Sequence, residues 1–267
     1  MAAPSDDRIA LISDIHGNAL ALRAVLEDIQ RRGVSKIYCL GDVATLGPHP
    51  LECIDLVEKH CLGLICGNHD RYVLEEILSK DPHNQFPPVQ QAIQWCRTKM
   101  TTEATSILEK SHPTLSIPLG HKKKVLLYHG SPRSDIEDWT EATPLETIQE
   151  VLADYKEETV FCGGHTHVCM KRQVGDDKLV VSVGSVGCPF ESPPSGKPPT
   201  GPPKILASAD YTILSSSSSK DDDDNDEVNV EHVRLPLDTK TLIQAANEWE
   251  HAEMGKQLAS MYPVVSE

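Results

Sequence analysis

The sequence predicts an α/β fold in which layered β-sheet carries helices on its outer faces. Short apolar runs alternate with amphipathic helical stretches through the first two thirds of the chain, and several runs stop abruptly in Asp, Asn, His and Gly. At 267 residues the chain can bury a substantial core without staples, and a single domain spanning 1–267 is expected.

RIALIS, Arg8 to Ser13, reads as the first strand. A helix follows from Asn18 to about Arg32, with Leu22, Val25, Leu26 and Ile29 at helical spacing and Gly33 closing it. KIYCL, Lys36 to Leu40, leads to a helix opened by Pro50 and carrying Cys53, Ile54 and Val57. LGLIC, Leu62 to Cys66, leads to a helix through Tyr72 to Ser79, and two further helices are expected between Val89 and Glu109. KKVLLY, Lys123 to Tyr128, is the next strand; Thr143-Pro144-Leu145-Glu146 then fits a capping box with Pro at the first helical position. TVFC and KLVVSV supply the last strands of this series.

Beyond Val186 the composition changes. ESPPSGKPPTGPPK, about 191–204, reads as an exposed loop, and the Ser run followed by DDDDNDE, about 215–227, as a solvated low-complexity insert. ILASADYTIL and EVNVEHVRLPL alternate like two strands on either side of that insert, and a closing helix runs from about Lys240 to Leu258, capped by Asp238.

The formal net charge of -15, from 40 Asp plus Glu against 25 Lys plus Arg, disfavours a basic surface that tracks a nucleic-acid backbone. No apolar run reaches the roughly 18 residues of a membrane helix, and MAAPSDDRIALISD lacks the pattern of a signal peptide, so a cytoplasmic protein without membrane attachment is expected. Eight cysteines form no CxxC pair and mostly sit inside apolar runs, as buried thiols of a reducing compartment do.

Five of the expected strands deliver ligand-type side chains at their carboxyl ends, where an α/β sheet places its site. The first gives Asp14 and His16, the second Asp42, and the third Asn68, His69 and Asp70. The run ending at Tyr128 gives His129, and TVFC runs into Gly-Gly-His165-Thr-His167. A DxH or HxH fragment standing alone is as well explained by a polar turn. Their joint occurrence favours a site, and imidazole plus carboxylate donors suit Mn, Fe, Zn or Ni, with an Asn amide adding geometry without charge. Two divalent ions against the carboxylates of Asp14 and Asp42 leave the cluster positive, which attracts a phosphate anion despite the acidic chain.

The blocks SDIHGN, LGDV, GNHD, YHGSP and GGHTH stand in the order of the signature of the calcineurin-like metallophosphoesterase superfamily, which the chain resembles. Through GDVATLGPHP, HGSPR and GSVGCP it further resembles a small bacterial-type branch related to diadenosine tetraphosphatase-like and phosphodiesterase proteins. The resemblance implies a four-layer fold, two packed mixed β-sheets flanked by α-helices. It implies one metal on Asp14, His16, Asp42 and His167 and a second on Asp42, Asn68, His129 and His165. His69 would be the acid that protonates the leaving group, oriented by Asp70, and a metal-bridging hydroxide would attack in line. Two departures stand out: no Arg follows Asp42, and Val183 and Phe190 occupy positions where the branch offers Asn and Arg. Arg133 is the remaining candidate to grip a phosphate oxygen, with a surface salt bridge as the competing role.

The implied activity is hydrolysis of a small or nucleotide-type phosphodiester, or of a phosphomonoester, on two divalent metal ions. A protein serine/threonine phosphatase and a catalytically silent binding scaffold on the same fold are the alternatives. Only the acidic insert and the Pro-rich loop offer themselves to a protein partner.

Overall fold

The computed structural model describes residues 8–75, 87–120, 122–191, 204–217 and 227–263. Most of the Pro-rich loop and of the acidic insert expected from the sequence lies outside these residues.

Two five-stranded mixed sheets stack face to face. β1 (Arg8–Ile12), β2 (Lys36–Cys39) and β3 (Gly63–Leu64) run parallel, and β9 (Ser208–Ser217) and β10 (Glu227–Pro236) extend that sheet as an antiparallel hairpin beside β1. The other sheet has the order β4 (Leu115–Leu119), β5 (Lys123–Leu127), β6 (Val160–Gly163), β8 (Lys178–Val183) and β7 (Cys169–Val174). In it β5, β6 and β8 are parallel, with β4 and β7 antiparallel on the two edges.

The period of two along each strand explains the stacking. On β1, Ile9 and Leu11 pack into a core shared with Val125 and Leu127 of β5 and Val160 and Cys162 of β6, so this face meets the other sheet. Ala10 and Ile12 point the opposite way, into a core built with the buried stripe of α1 (Ala19–Arg31), namely Leu22, Val25, Leu26 and Ile29. Each such side chain contributes roughly 1.5–3 kcal/mol when fully buried. α2 (Pro50–His60) and α5 (Thr102–Leu108) cover the same face, whereas α6 (Leu145–Leu152) packs on the outer face of the second sheet through Ile148, Val151 and Leu152. The result is the four-layer arrangement expected from the sequence.

Local departures have identifiable causes. β4 and β7 escape a search for apolar runs because they are edge strands with alternating exposure, and Lys171 and Arg172 interrupt the pattern in β7. Thr143 does not cap α6: its hydroxyl accepts the Thr140 N–H at 2.9 Å, and the cap position is Pro144, which has no side-chain hydrogen bond to offer. The single closing helix divides into α7 (Thr239–Asn247) and α8 (Ala252–Met261). Asp238 caps the first as expected, accepting the Thr241 N–H at 2.9 Å. The second folds back so closely that a Cβ on Gly255 would stand 2.1 Å from the Ala246 carbonyl oxygen.

Candidate functional site

The parallel strands aim their carboxyl ends at one rim, where the turns that leave them bond to one another within each sheet and, at one point, across the two sheets. His16 N–H donates to the Asp42 carbonyl at 2.9 Å, Gly164 N–H to the His129 carbonyl at 2.8 Å, and Gly187 N–H to the Asp14 carbonyl at 2.9 Å. Backbones approach so closely that glycine is required at two points. A Cβ on Gly67 would stand 2.1 Å from Asp42 Oδ1, and one on Gly164 would stand 2.0 Å from Ser13 Oγ. This is why Gly-Gly precedes His165. Asp14, His16, Asp42, His165 and His167 all take left-handed backbone, with φ between 49° and 67°. Such angles are uncommon for non-glycine residues and concentrate at functional sites.

The seven residues expected as ligands converge into two linked groups. In the first, His16 Nε2 lies 3.1 Å from His167 Nε2, and Asp14 Oδ1 lies 3.3 Å from His167 Nε2 and 3.9 Å from His16 Nε2. In the second, Asn68 Oδ1 lies 3.0 Å from His129 Nε2 and 3.1 Å from His165 Nδ1. Asp42 joins them: its Oδ2 is 3.7 Å from His16 Nε2 and 3.4 Å from His129 Nε2. Its Oδ1 is occupied by the His69 N–H at 2.9 Å, which fixes the carboxylate's orientation.

The surroundings fix which nitrogen of two imidazoles faces the cluster. His129 Nδ1 lies 2.7 Å from the Leu40 carbonyl and His167 Nδ1 2.7 Å from the Cys188 carbonyl, so in each neutral ring the hydrogen sits on Nδ1 and Nε2 is free to coordinate. Asp14 Oδ1 is buried and has no hydrogen-bond partner among the described residues. A buried carboxylate oxygen facing two imidazole nitrogens is a donor set that fits a cation. Groups of three including Asp14, His16 and His167, and Asp14, Asp42 and His129, bring their donor atoms within 4.8 Å of one another.

Electrostatics follow from burial and crowding. Burial pushes His16 down to about 3. Burial would also depress His129, but the Asp42 carboxylate beside it, together with Asp14, raises it to about 10. His167 is likewise raised, burial being outweighed by Asp14. Burial lowers His69. Asp42 lies well below the carboxylate range because His129, His69 and His16 together overcome its burial.

Two expected roles take another form. Asp70 does not orient His69: its carboxylate accepts the N–H groups of Asp42, Val43 and Gly67 at 2.7, 2.9 and 3.0 Å, tying the third strand's turn to the second's. His69 Nδ1 instead meets Thr45 Oγ1 at 2.8 Å. Thr45 went unnoticed, although its place three residues after Asp42 in GDVAT was a usable signal. Asp138, whose Oδ1 is 3.4 Å from His165 Nε2, carried no signal in the sequence. Arg133 is exposed and pairs with Glu137 at 2.5 and 2.9 Å, apart from the cluster.

A cavity of about 230 Å³ opens beside the cluster, lined at one end by His16, Asp42, Asn68, His69, His165 and His167.

A family model described as the calcineurin-like phosphoesterase superfamily domain matches residues 8–197. An uncharacterized protein of Methanocaldococcus jannaschii is 34% identical over 201 residues, covering 68% of this chain and 76% of the relative. Among solved structures, a metallophosphoesterase from Sphaerobacter thermophilus superposes with a TM-score of 0.65 at 24% identity, covering 95% of this chain and 98% of that one. A hypothetical protein from Pyrococcus horikoshii gives a TM-score of 0.69 at 18% identity, with 95% and 96% covered. At these identities the two structures speak for the fold.

Proposed function

The chain belongs to the calcineurin-like phosphoesterase superfamily, and from that premise we propose that it hydrolyses phosphoesters on two divalent metal ions held at the cluster. Asp14, His16, Asp42 and His167 would hold one ion, and Asp42, Asn68, His129 and His165 the other. Ions so held supply Lewis acidity toward phosphoryl oxygens and make water a stronger acid. The observation that carries the reading is Asp42 Oδ2, which lies between His16 Nε2 and His129 Nε2 at 3.7 and 3.4 Å, the place of a bridging ligand.

The chain's own groups set the rest. Asp42 is kept ionised chiefly by His129, and the His69 N–H holds it in register. His69 lines the cavity and serves as the proton donor to the departing oxygen. Thr45 Oγ1 meets Nδ1 at 2.8 Å, which orients the ring and leaves Nε2 as the nitrogen that delivers the proton. The described lining contains no Lys or Arg. That favours a phosphodiester, with one negative charge, over a monoester dianion that calls for a further cation.

Metal analysis of the purified chain, followed by assays of bis-p-nitrophenyl phosphate and p-nitrophenyl phosphate with added Mn, tests this reading. Turnover of the diester ahead of the monoester is expected. Metal bound at the cluster without turnover of either would leave the chain a binding scaffold.

A further inference from the structure

The cavity has two unlike ends. Beyond the cluster, its lining is largely apolar and includes Leu46, Phe190, Trp249, Met254, Leu258 and Met261. Away from the cluster and Asp138, the polar groups among the described lining side chains are Gln257, the buried Cys188 and the Trp249 indole N–H. Its size, about 230 Å³, is below the roughly 300–1,000 Å³ usual for drug-sized ligands, so it suits one compact group.

This wall is fixed in place and continuous with the cluster. Phe190 stacks on His167 with ring centroids 4.7 Å apart and planes 15° apart. Trp249 is braced edge-on by Trp95 at 5.0 Å, and its indole N–H is buried without a partner among the described residues. Leu46 takes φ 69°; it is the only non-glycine residue with positive φ among the described residues that is not an expected ligand. A branched side chain tolerates that conformation only where its surroundings impose it, and here it borders the cavity.

A second phosphate or a hydroxyl-rich sugar placed against this wall would lose most of its hydration and find only the Gln257 amide, the Cys188 thiol and the Trp249 indole N–H to replace it. A ring or short apolar chain would gain by leaving water, and a ring could also stack against Phe190 or Trp249. Resting on the phosphoester reading above, the geometry points to a substrate whose single phosphate carries a compact aromatic or apolar group. That group lies against Phe190, Trp249 and Met261 while the phosphate faces the metal ligands. Polyphosphates and sugar phosphates are disfavoured.

Calorimetric titration of the Mn-loaded full chain with phenylphosphonate and methylphosphonate tests the inference, because the two probes share a phosphonate head and differ in the ring. Phenylphosphonate is expected to bind about tenfold tighter or more, the effect of burying one ring. Met261→Gln on α8, and separately Val89→Asn on the facing helix α4 (Pro87–Lys99), should each cut that preference to roughly threefold or less with metal content retained. Two independent sites guard against a single misfolded variant. Equal affinity for the two probes, or a preference that survives both substitutions, overturns the inference and leaves the phosphoester reading standing. Metal-loaded protein that binds neither probe overturns the inference, whereas the phosphoester reading falls only if the nitrophenyl diester and monoester both go unhydrolysed.

Discussion

Thr45 Oγ1 lies 2.8 Å from His69 Nδ1, so a hydroxyl on the turn after β2 governs the ring that faces the cavity. Thr45 is 1% exposed, and Val has nearly its shape. Thr45→Val is therefore expected to lower kcat by roughly tenfold and to shift the pH profile of kcat, whereas Thr45→Ser should retain both. Steady-state kinetics across pH on the two variants check this; a Val variant with an unchanged profile would mean that the hydroxyl only fills space.

Asp42→Asn removes the charge between the two ligand groups while keeping the side chain's size. Both ions should then bind at least about tenfold more weakly, and the loss should be read as metal content per chain after dialysis. Because ligands that bind only the folded state stabilise it, a chelator should lower the melting temperature of the native chain more than that of Asp42→Asn. Equal effects on the two would speak against ligation by Asp42.

Coordination needs an unprotonated nitrogen, and in the metal-free chain His129 is raised to about 10 while His167 is raised by Asp14. Below those values each ring carries an extra proton that a cation has to displace. Metal affinity should rise with pH toward about 10 and fall as pH drops. Calorimetry in two buffers of different ionisation heat should show about one to two protons released per chain at pH 7. Release of none would remove His129 from the ligand set. Without metal, the same raised His129 stabilises the fold at and below its unfolded value of about 6.5, a contribution lost as pH climbs through about 10.

Gly164→Ala would put a methyl 2.0 Å from Ser13 Oγ and 2.5 Å from Asp14 Oδ2. The expected result is a loss of about 1–3 kcal/mol of stability together with weaker metal binding, since Asp14 has to move. Chemical denaturation and metal titration measure the two effects. Gly175, where an added Cβ meets nothing within 4 Å but φ is 64°, provides the control: Gly175→Ala should cost stability through backbone strain alone and leave metal binding intact.

What the sequence disclosed was the part written in short local patterns. β1, β2, β5, β6 and β8 carry largely apolar text, and each ligand-type residue follows its strand within a few positions, so both strands and ligands could be read in order. Edge strands β4 and β7 were hidden because only one of their faces is buried. That Thr45, and not Asp70, meets His69 was hidden for another reason. Which acceptor meets His69 depends on how two turns stack, a long-range relation that adjacency in GNHD does not encode. The cavity wall was illegible as well, since Leu46, Phe190 and Met261 come together only after both sheets and the final helices are assembled.

Every candidate metal ligand stands between Asp14 and His167, while most of the apolar wall comes from Phe190 onward, where Gly255 lets α8 fold back against α7. Reactivity and preference are thus encoded in separable stretches of one polypeptide. A lineage could exchange its terminal hairpin and acquire a new clientele without disturbing the ions' seat, and an engineer could do the same by swapping about thirty residues, the length of a single supersecondary unit.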